Sequence, residues 1–284
     1  MDKINLSEYI KEYVSNLNNK DIIEYNDILR IIAFVLNKDK NYIHLEDIYI
    51  NDETSKKLKY TLDKFYIDKV PLQYILGVQY FYNEEYIVNE NVLIPRSDSE
   101  ILVEKAIEYS YKYNLKNMLD MCSGSGCIGI SVLNNSNIEK CTFVDISKQA
   151  LDVTNKNIIH NKVSKKVLTI KSDLFSEING KFDLIVSNPP YIKSSEIENL
   201  SEYVKKEPLL ALDGGNDGLD IYKRIINDST NYLNDNGYLM LEIGYDELED
   251  IKKLISSNEY FELIENVKDL GNNDRVVVCR FLQK

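Results

Sequence analysis

From residue 118 onward, short apolar runs recur along the chain, at 118–122, 141–146, 167–170, 182–187, 238–243, 261–267 and 276–281, with helical stretches between the early ones. Runs this short suit strands buried on both faces, and a single amphipathic helix cannot account for them. Such strands alternating with helices predict an α/β domain, doubly wound around a mostly parallel sheet. Sheets of this kind bind ligands at the carboxyl ends of their strands. The chemistry is therefore to be sought just after each apolar run.

Upstream of this block the periodicity is different. Leu6, Ile10, Tyr13, Val14 and Leu17 recur at helical spacing, as do Ile28, Ile31, Ile32, Val35 and Leu36, with Asn26 as a candidate N-cap. Leu58, Leu62 and Phe65 give a third stripe, which Pro71 stops. These stripes read as core. The stretch from Gln79 to Arg96 is aromatic and β-branched, broken by Asn-Glu-Glu at 83–85 and Asn-Glu-Asn at 89–91, and reads as a strand pair bridging two domains. Ser97-Asp98-Ser99-Glu100 then has the Ser-x-x-Glu form of a capping box opening a helix.

Composition narrows the function classes. With 44% hydrophobic and 28% charged residues, the 284-residue chain is ordinary for a globular protein. It holds no run near the roughly 20 apolar residues of a membrane span. Met1-Asp2-Lys3-Ile4-Asn5 lacks the blocks of a signal peptide, so a cytoplasmic location is expected. The net charge of -12 argues against a long nucleic-acid footprint and suits a basic protein partner. Cys122, Cys127, Cys141 and Cys279 form no CxxC pair, and His44 and His160 are the two histidines, so no metal site is expected. Small buried thiols are the better reading.

Asp120-Met121-Cys122-Ser123-Gly124-Ser125-Gly126 follows the first apolar run, and Cys127-Ile128-Gly129-Ile130 begins a helix. Glycines let the backbone pass close to a ligand, and the helix N-terminus offers free N–H groups to an anionic end. Gly124, Gly126 and Gly129 also fit the dinucleotide fingerprint. Asp145 lies 19 residues beyond Gly126, where a carboxylate would accept ribose hydroxyls. S-adenosylmethionine and a nicotinamide or flavin nucleotide both contain adenosine, so Asp145 leaves both open, as it does a structural turn. Asp120 favours the first, because its carboxylate would repel a pyrophosphate and tolerate an ammonium group. Asp173, followed by Leu174 and Phe175, closes the third run and could accept from an adenine amino group.

Asn188-Pro189-Pro190-Tyr191 leaves the fourth run. Two successive prolines fix φ and remove N–H donors, which stiffens the turn. The Asn188 side-chain oxygen and the Pro189 carbonyl can then accept both hydrogens of one NH2 group, with Tyr191 as a flat face for stacking. An amide or aromatic amine nitrogen is a poor nucleophile because its lone pair is delocalised. Two fixed acceptors orient that lone pair toward an activated methyl, so positioning and electrostatics carry the step without a strong base. The bland reading is a strand end with a packed tyrosine.

At these residues the chain resembles the HemK/PrmC family, the peptide chain release factor glutamine methyltransferases. Pro71-Leu72-Gln73-Tyr74-Ile75-Leu76-Gly77, Val92-Leu93-Ile94-Pro95-Arg96 and the stretch 182–192 look like its segments, as do Glu207-Pro208, Ala211-Leu212 and Gly214-Gly215-x-Asp217-Gly218-Leu219. Leu241-Glu242-Ile243-Gly244 and Asp274-Arg275-Val276-Val277 look like its closing strands. The resemblance implies a helical domain over 1–76 that helps hold the release factor. It implies a β-hairpin linker over 77–96 and a seven-stranded, Rossmann-like class I methyltransferase domain over 97–284. It implies S-adenosylmethionine as methyl donor, S-adenosylhomocysteine as product, and the glutamine of a Gly-Gly-Gln loop as acceptor. By position Asp120, Cys122, Ser123, Gly124, Ser125, Gly126, Asp145, Asp173, Leu174 and Asn188 would hold the cofactor. Asn188, Pro189, Pro190 and Tyr191 would hold the glutamine, with Asn188, Pro189 and Tyr191 as the catalytic group. A monomer with no metal and no nucleic-acid partner is expected.

Two positions depart from the family. It usually has glycine where this chain has Cys122, whose Cβ predicts a negative φ. It often has Arg-Pro-x-Thr-Glu where this chain has Arg96-Ser97-Asp98-Ser99-Glu100. Three other functions compete. An adenine-specific nucleic-acid methyltransferase shares the planar-NH2 chemistry but needs basic surface to hold its strand. A nucleotide-dependent oxidoreductase leaves the tetrapeptide without a role. A non-catalytic binding module need not keep Asn188.

Overall fold

The computed structural model describes residues 3–17, 24–43 and 48–284, so the readings of Met1, Asp2 and His44 lie outside the described residues. By contacts the chain divides into two compact units, Met1–Gly77 with Glu202–Lys206, and Val78–Ser201 with Glu207–Lys284.

The first unit is helical, with Leu6–Ser15, Tyr25–Leu36, Lys40–Ile43, Asp52–Tyr66 and Leu72–Leu76. Asn5 and Asn51 cap two of these helices, accepting from the backbone N–H of Glu8 and Thr54 at 3.1 and 2.8 Å. Ile28, Ile31, Ile32 and Val35 meet Leu58, Leu62 and Phe65 in one core, as the helical spacing predicts. Two details differ. Glu24 holds the N-cap position of Tyr25–Leu36, so Asn26 lies inside the helix and its side chain accepts from Lys40 Nζ. Leu17 lies beyond the end of its helix but still packs on the core.

The second unit contains a seven-stranded sheet, whose strands we number in chain order: β1 Asn117–Met121, β2 Lys140–Asp145, β3 Lys166–Lys171, β4 Phe182–Ser187, β5 Leu233–Glu242, β6 Phe261–Lys268 and β7 Asp274–Phe281. All seven predicted runs are strands. Their order across the sheet is β6-β7-β5-β4-β1-β2-β3, with β7 antiparallel to β5 and β6 and every other neighbour parallel. Alternation along each strand explains the unbroken apolar runs. Met118, Leu184, Val186, Met240 and Val278 enter one core, while Leu119, Met121, Ile185, Leu239 and Val277 enter another on the opposite face. Both faces are buried, so neither set can be polar. Truncating one of these residues to alanine costs about 2–5 kcal/mol. Among the described residues no helix is long and apolar enough to cross a membrane.

The stretch 79–96 forms one hairpin, Val78–Phe81 paired with Glu84–Ile87, and then runs without a strand. Tyr82 and Asn83, with φ of 48° and 62°, make the two-residue turn that hairpin twist favours. Phe81 and Tyr86 enter the core of the larger unit, and Tyr86 Oη meets Ser131 Oγ at 2.7 Å. The hairpin is thus built into that unit. Ser97–Ser99 is a 3-10 turn, and helix Glu100–Lys112 has no side-chain cap. The capping box does not form, because Glu100 Oε1 accepts from the backbone N–H of Tyr82 instead.

Candidate active site

β1 lies next to β4, where the strand order reverses direction, and loops leaving the carboxyl ends of both open the crevice typical of such sheets. The first loop is the glycine-rich one. The backbone N–H of Ser123 donates to Val144 O and that of Gly126 to Ser123 O, at 2.9 and 2.7 Å, which folds the chain over the end of β2. Asp145 Oδ2 accepts from the N–H of Gly124 at 2.9 Å, and its Oδ1 from Ser147 at 2.8 Å. Gly126 must be glycine, because its φ is +80° and a Cβ would stand 2.8 Å from Thr154 Cγ2. Helix Cys127–Asn135 then starts at the crevice, with Cys127 and Ile128 on its wall. The fully buried Asn157 locks the loop from behind, donating to Ser125 O and Ile87 O at 2.9 Å.

Cys122 does not keep the negative φ expected of a residue with a Cβ; its φ is +61°. The chain must leave β1 and turn back over β2 within two residues, so tertiary hydrogen bonding overrides the local preference. A left-handed residue other than glycine costs about 1–2 kcal/mol. The half-buried thiol packs against the sheet core, and burial pushes its pKa up to about 12.

The second loop is the tetrapeptide. Ser187 Oγ donates to Met121 O at 2.7 Å, which ties the ends of β1 and β4 together. Asn188 Nδ2 then donates to Ser99 Oγ at 3.2 Å. The downstream glycine signature turns out to support this loop. A Cβ on Gly214 would stand 2.7 Å from Tyr191 Cα, and one on Gly218 would stand 2.5 Å from Tyr191 O. Glycine there lets the two backbones touch, with Ile192 N–H donating to Leu212 O and Gly214 N–H to Ile192 O.

Between the loops lies a cavity of about 330 Å³, within the roughly 300–1,000 Å³ of small-molecule sites. Of the predicted residues, Cys122, Ser123, Gly124, Ser125, Asp145, Asp173, Leu174, Asn188 and Pro190 line it. Asp120, Gly126, Pro189 and Tyr191 do not. Asp120 is buried below the loop, where Oδ2 accepts from the N–H of Gly129 at 2.9 Å and Oδ1 has no partner among the described residues. Burial raises its pKa to about 7, against the Gly129 N–H that lowers it. Burial also raises Asp145, with the backbone N–H groups of Ser147, Gly124 and Ile146 opposing. Tyr191 packs on the sheet core, and burial holds its hydroxyl protonated.

Sequence reasoning missed several residues. Arg224 lines the cavity and pairs with Asp173 at 2.8 Å. Glu207 accepts from the N–H of Ile94 at 2.9 Å and pairs with Arg96, which fastens the segment 92–96 as an outer wall. Ser99 stands beside Asn188, and behind both lies the buried Glu242. No local pattern announces Arg224, since it stands far along the chain from Asp173.

Comparison with known proteins adds three findings. The family description "methyltransferase small domain" matches residues 97–206. The chain is 41% identical to a release factor glutamine methyltransferase of Fusobacterium nucleatum subsp. nucleatum, covering 88% of this chain and 71% of that one. It is 39% identical to one of Clostridium botulinum, covering 89% and 91%. A ribosomal protein uL3 glutamine methyltransferase of Francisella tularensis is 44% identical over a shorter stretch, 61% of this chain and 56% of that one. Among solved structures, a methyltransferase from Pyrococcus furiosus superposes with a TM-score of 0.52 at 15% identity, covering 82% of this chain and 98% of that one, a likeness of fold alone.

Proposed function

The chain belongs to the release factor glutamine methyltransferase family, and we propose that the crevice between β1 and β4 is where it moves a methyl group from S-adenosylmethionine to a release factor's glutamine amide nitrogen. The carrying observation is that Asn188 lines the same cavity as the glycine loop. An acceptor for amide hydrogens and a mould for an adenosyl ligand therefore share one enclosure.

The residues present fit that cofactor. The unpartnered Asp120 Oδ1 and Ser123 Oγ lie at the glycine loop, and a buried polar atom without a partner costs about 1–3 kcal/mol unless something satisfies it. Asp120, charged, would balance the ammonium group from beneath the loop, and the first N–H groups of Cys127–Asn135 would take the carboxylate. Asp145 would accept the ribose hydroxyls with the lone pairs its backbone contacts leave free. Asp173 and Leu174 would hold the adenine. When bound, this cofactor supplies a methyl group made electrophilic by sulfonium charge. Asn188 Oδ1 and the Pro189 carbonyl would accept the two hydrogens of the glutamine amide and orient its nitrogen. Tyr191 would act by shaping the turn from the core side, since its side chain packs there.

A substrate that works in translation termination would be met in the cytoplasm, and we infer that the enzyme acts there as a monomer. Ribosomal protein uL3 is a second candidate acceptor, resting on the shorter similarity noted above. The test is transfer itself. Release factor incubated with enzyme and methyl donor should gain one methyl on the side-chain amide of its Gly-Gly-Gln glutamine, read by fragmentation mass spectrometry. An unmodified release factor beside methylated uL3 would move the substrate, and methylated adenine in DNA or RNA would overturn the class.

A further inference from the structure

Ser172, Asp173 and Leu174 leave β3, and the backbone is held on both sides of Asp173. The N–H of Ser172 donates to Asp145 O at 3.0 Å. The buried Ser172 Oγ donates to Leu174 O at 2.7 Å and accepts from the N–H of Glu177 at 3.0 Å. That grip keeps Leu174 at a φ of +49°, with its side chain in the core. A left-handed leucine is strained, and such strain persists only where the surroundings over-determine it. The Asp173 side chain is held differently. It is 52% exposed, so it has room to swing into solvent.

What restrains it is Arg224, whose Nη2 donates to Asp173 Oδ1 at 2.8 Å. Arg224 stands on helix Asp220–Asp228, which is anchored by Tyr222, Ile225 and Ile226 in the core and by Tyr222 Oη donating to Glu242 O at 2.7 Å. The arginine therefore reaches out from a fixed base. An ion pair this exposed adds little to stability. Its place on the wall of the cavity, which both residues line, gives it another use. The guanidinium takes Oδ1 and leaves Oδ2 as an acceptor with a set direction.

We propose that Arg224 is a positioning residue that sets base specificity, pinning Asp173 so that its second oxygen selects a cofactor base bearing an exocyclic amino group. This rests on the reading of Asp173 as the acceptor for the adenine amino group. A carboxylate accepts and cannot donate, so it gains from a base that offers hydrogens and loses against one that offers none. The size of that loss depends on whether the carboxylate can escape. An unpinned Asp173 turns to water when the base has no amino group, and the mismatch then costs little. A pinned one stays against the base edge with an acceptor unsatisfied, which is how polar sites reject ligands that lack the matching group.

Calorimetric titration with S-adenosylhomocysteine and with its 6-deamino analogue, in which unsubstituted purine replaces adenine, tests this. Wild type should favour the amino-bearing ligand by about thirtyfold, the range of a hydrogen bond to a charged group. Arg224→Met keeps an unbranched stem and removes the fork. It should bind the deamino ligand within about twofold of wild type and the adenosyl ligand more weakly, so that the preference falls to about threefold. Arg224→Lys keeps the charge without the fork and should fall between the two. A merely structural role would weaken both ligands alike and leave their ratio unmoved. In an Asp173→Ala background, Arg224→Met should bring no further fall in the preference, because no carboxylate is left to pin. A preference in Arg224→Met within twofold of wild type, or a further fall in the Asp173→Ala background, would overturn the proposal. Wild type that binds both ligands equally would sink the reading of Asp173 and the proposal with it. Wild type that binds neither would sink the cofactor reading as well.

Discussion

The two loops that leave β1 and β4 face one cavity but are built on opposite principles. Residues 122–126 are shaped by backbone: three of the five have positive φ, and the contacts that hold them are N–H groups meeting Val144 O, Ser123 O and Asp145. The tetrapeptide is shaped by rings. Two prolines stiffen it, the close approach of Gly214 and Gly218 braces it from outside, and Asn188 is the side chain that reaches the chemistry. The first loop is a mould, in which almost any added atom disturbs the ligand. The second is a handle, in which one amide matters and its neighbours hold it still. A mould should therefore fail in affinity and stability together, and a handle should fail in turnover alone.

The largest effect expected from this contrast is at Asn188. Asn188→Ala should lower kcat about a hundred- to a thousandfold, as loss of a preorganised electrostatic group does, with the unfolding midpoint nearly unchanged. A rapid-quench assay of methyl transfer, beside thermal unfolding, checks both halves. Gly126→Ala comes next. Its φ of +80° and the approach of Thr154 to 2.8 Å should cost about 1–3 kcal/mol of stability along with cofactor affinity, seen in urea unfolding with and without S-adenosylhomocysteine. If that variant kept its stability and lost only turnover, the division between mould and handle would be wrong.

Asp120→Asn should separate stability from binding. The folded pKa of Asp120, about 7, stands above its ordinary 3.8, so the folded chain holds a proton that the unfolded chain has released. Its stabilising contribution is complete below pH 3.8 and is lost as pH rises through about 7. The asparagine variant lacks that loss. It should be more stable than wild type at pH 8, with the gap closing toward pH 4, while its affinity for S-adenosylhomocysteine falls. Urea midpoints across that range give the answer. The smallest effect belongs to Cys122→Gly. Relief of the left-handed strain is partly offset by a more flexible unfolded chain and by lost thiol packing, so stability should rise by less than about 1 kcal/mol.

Much of the sheet was legible in the sequence because burial on both faces leaves a signal that needs no partner: seven apolar runs became seven strands. The hairpin was legible as well, although its turn falls at Tyr82-Asn83 and not at 83–85, and so were the strand-end positions of Asp145, Asp173 and Asn188. What failed were preferences that a distant group overrides. Glu100 would cap its own helix were the N–H of Tyr82 not waiting for it. Cys122 would keep a negative φ were β2 not there to be crossed. Glu242, Ser99, Arg275 and Arg224 stand on four separate elements, so their meeting at the site is a product of topology, and no spacing along the chain records it.

The most direct test of the division between mould and handle is one calorimetric titration of S-adenosylhomocysteine, run in parallel on wild type, Asn188→Ala and Gly126→Ala. The account predicts that Asn188→Ala binds within about threefold of wild type while Gly126→Ala loses more than about tenfold, the equivalent of roughly 1.4 kcal/mol. The reverse order, or equal losses in both, would contradict it.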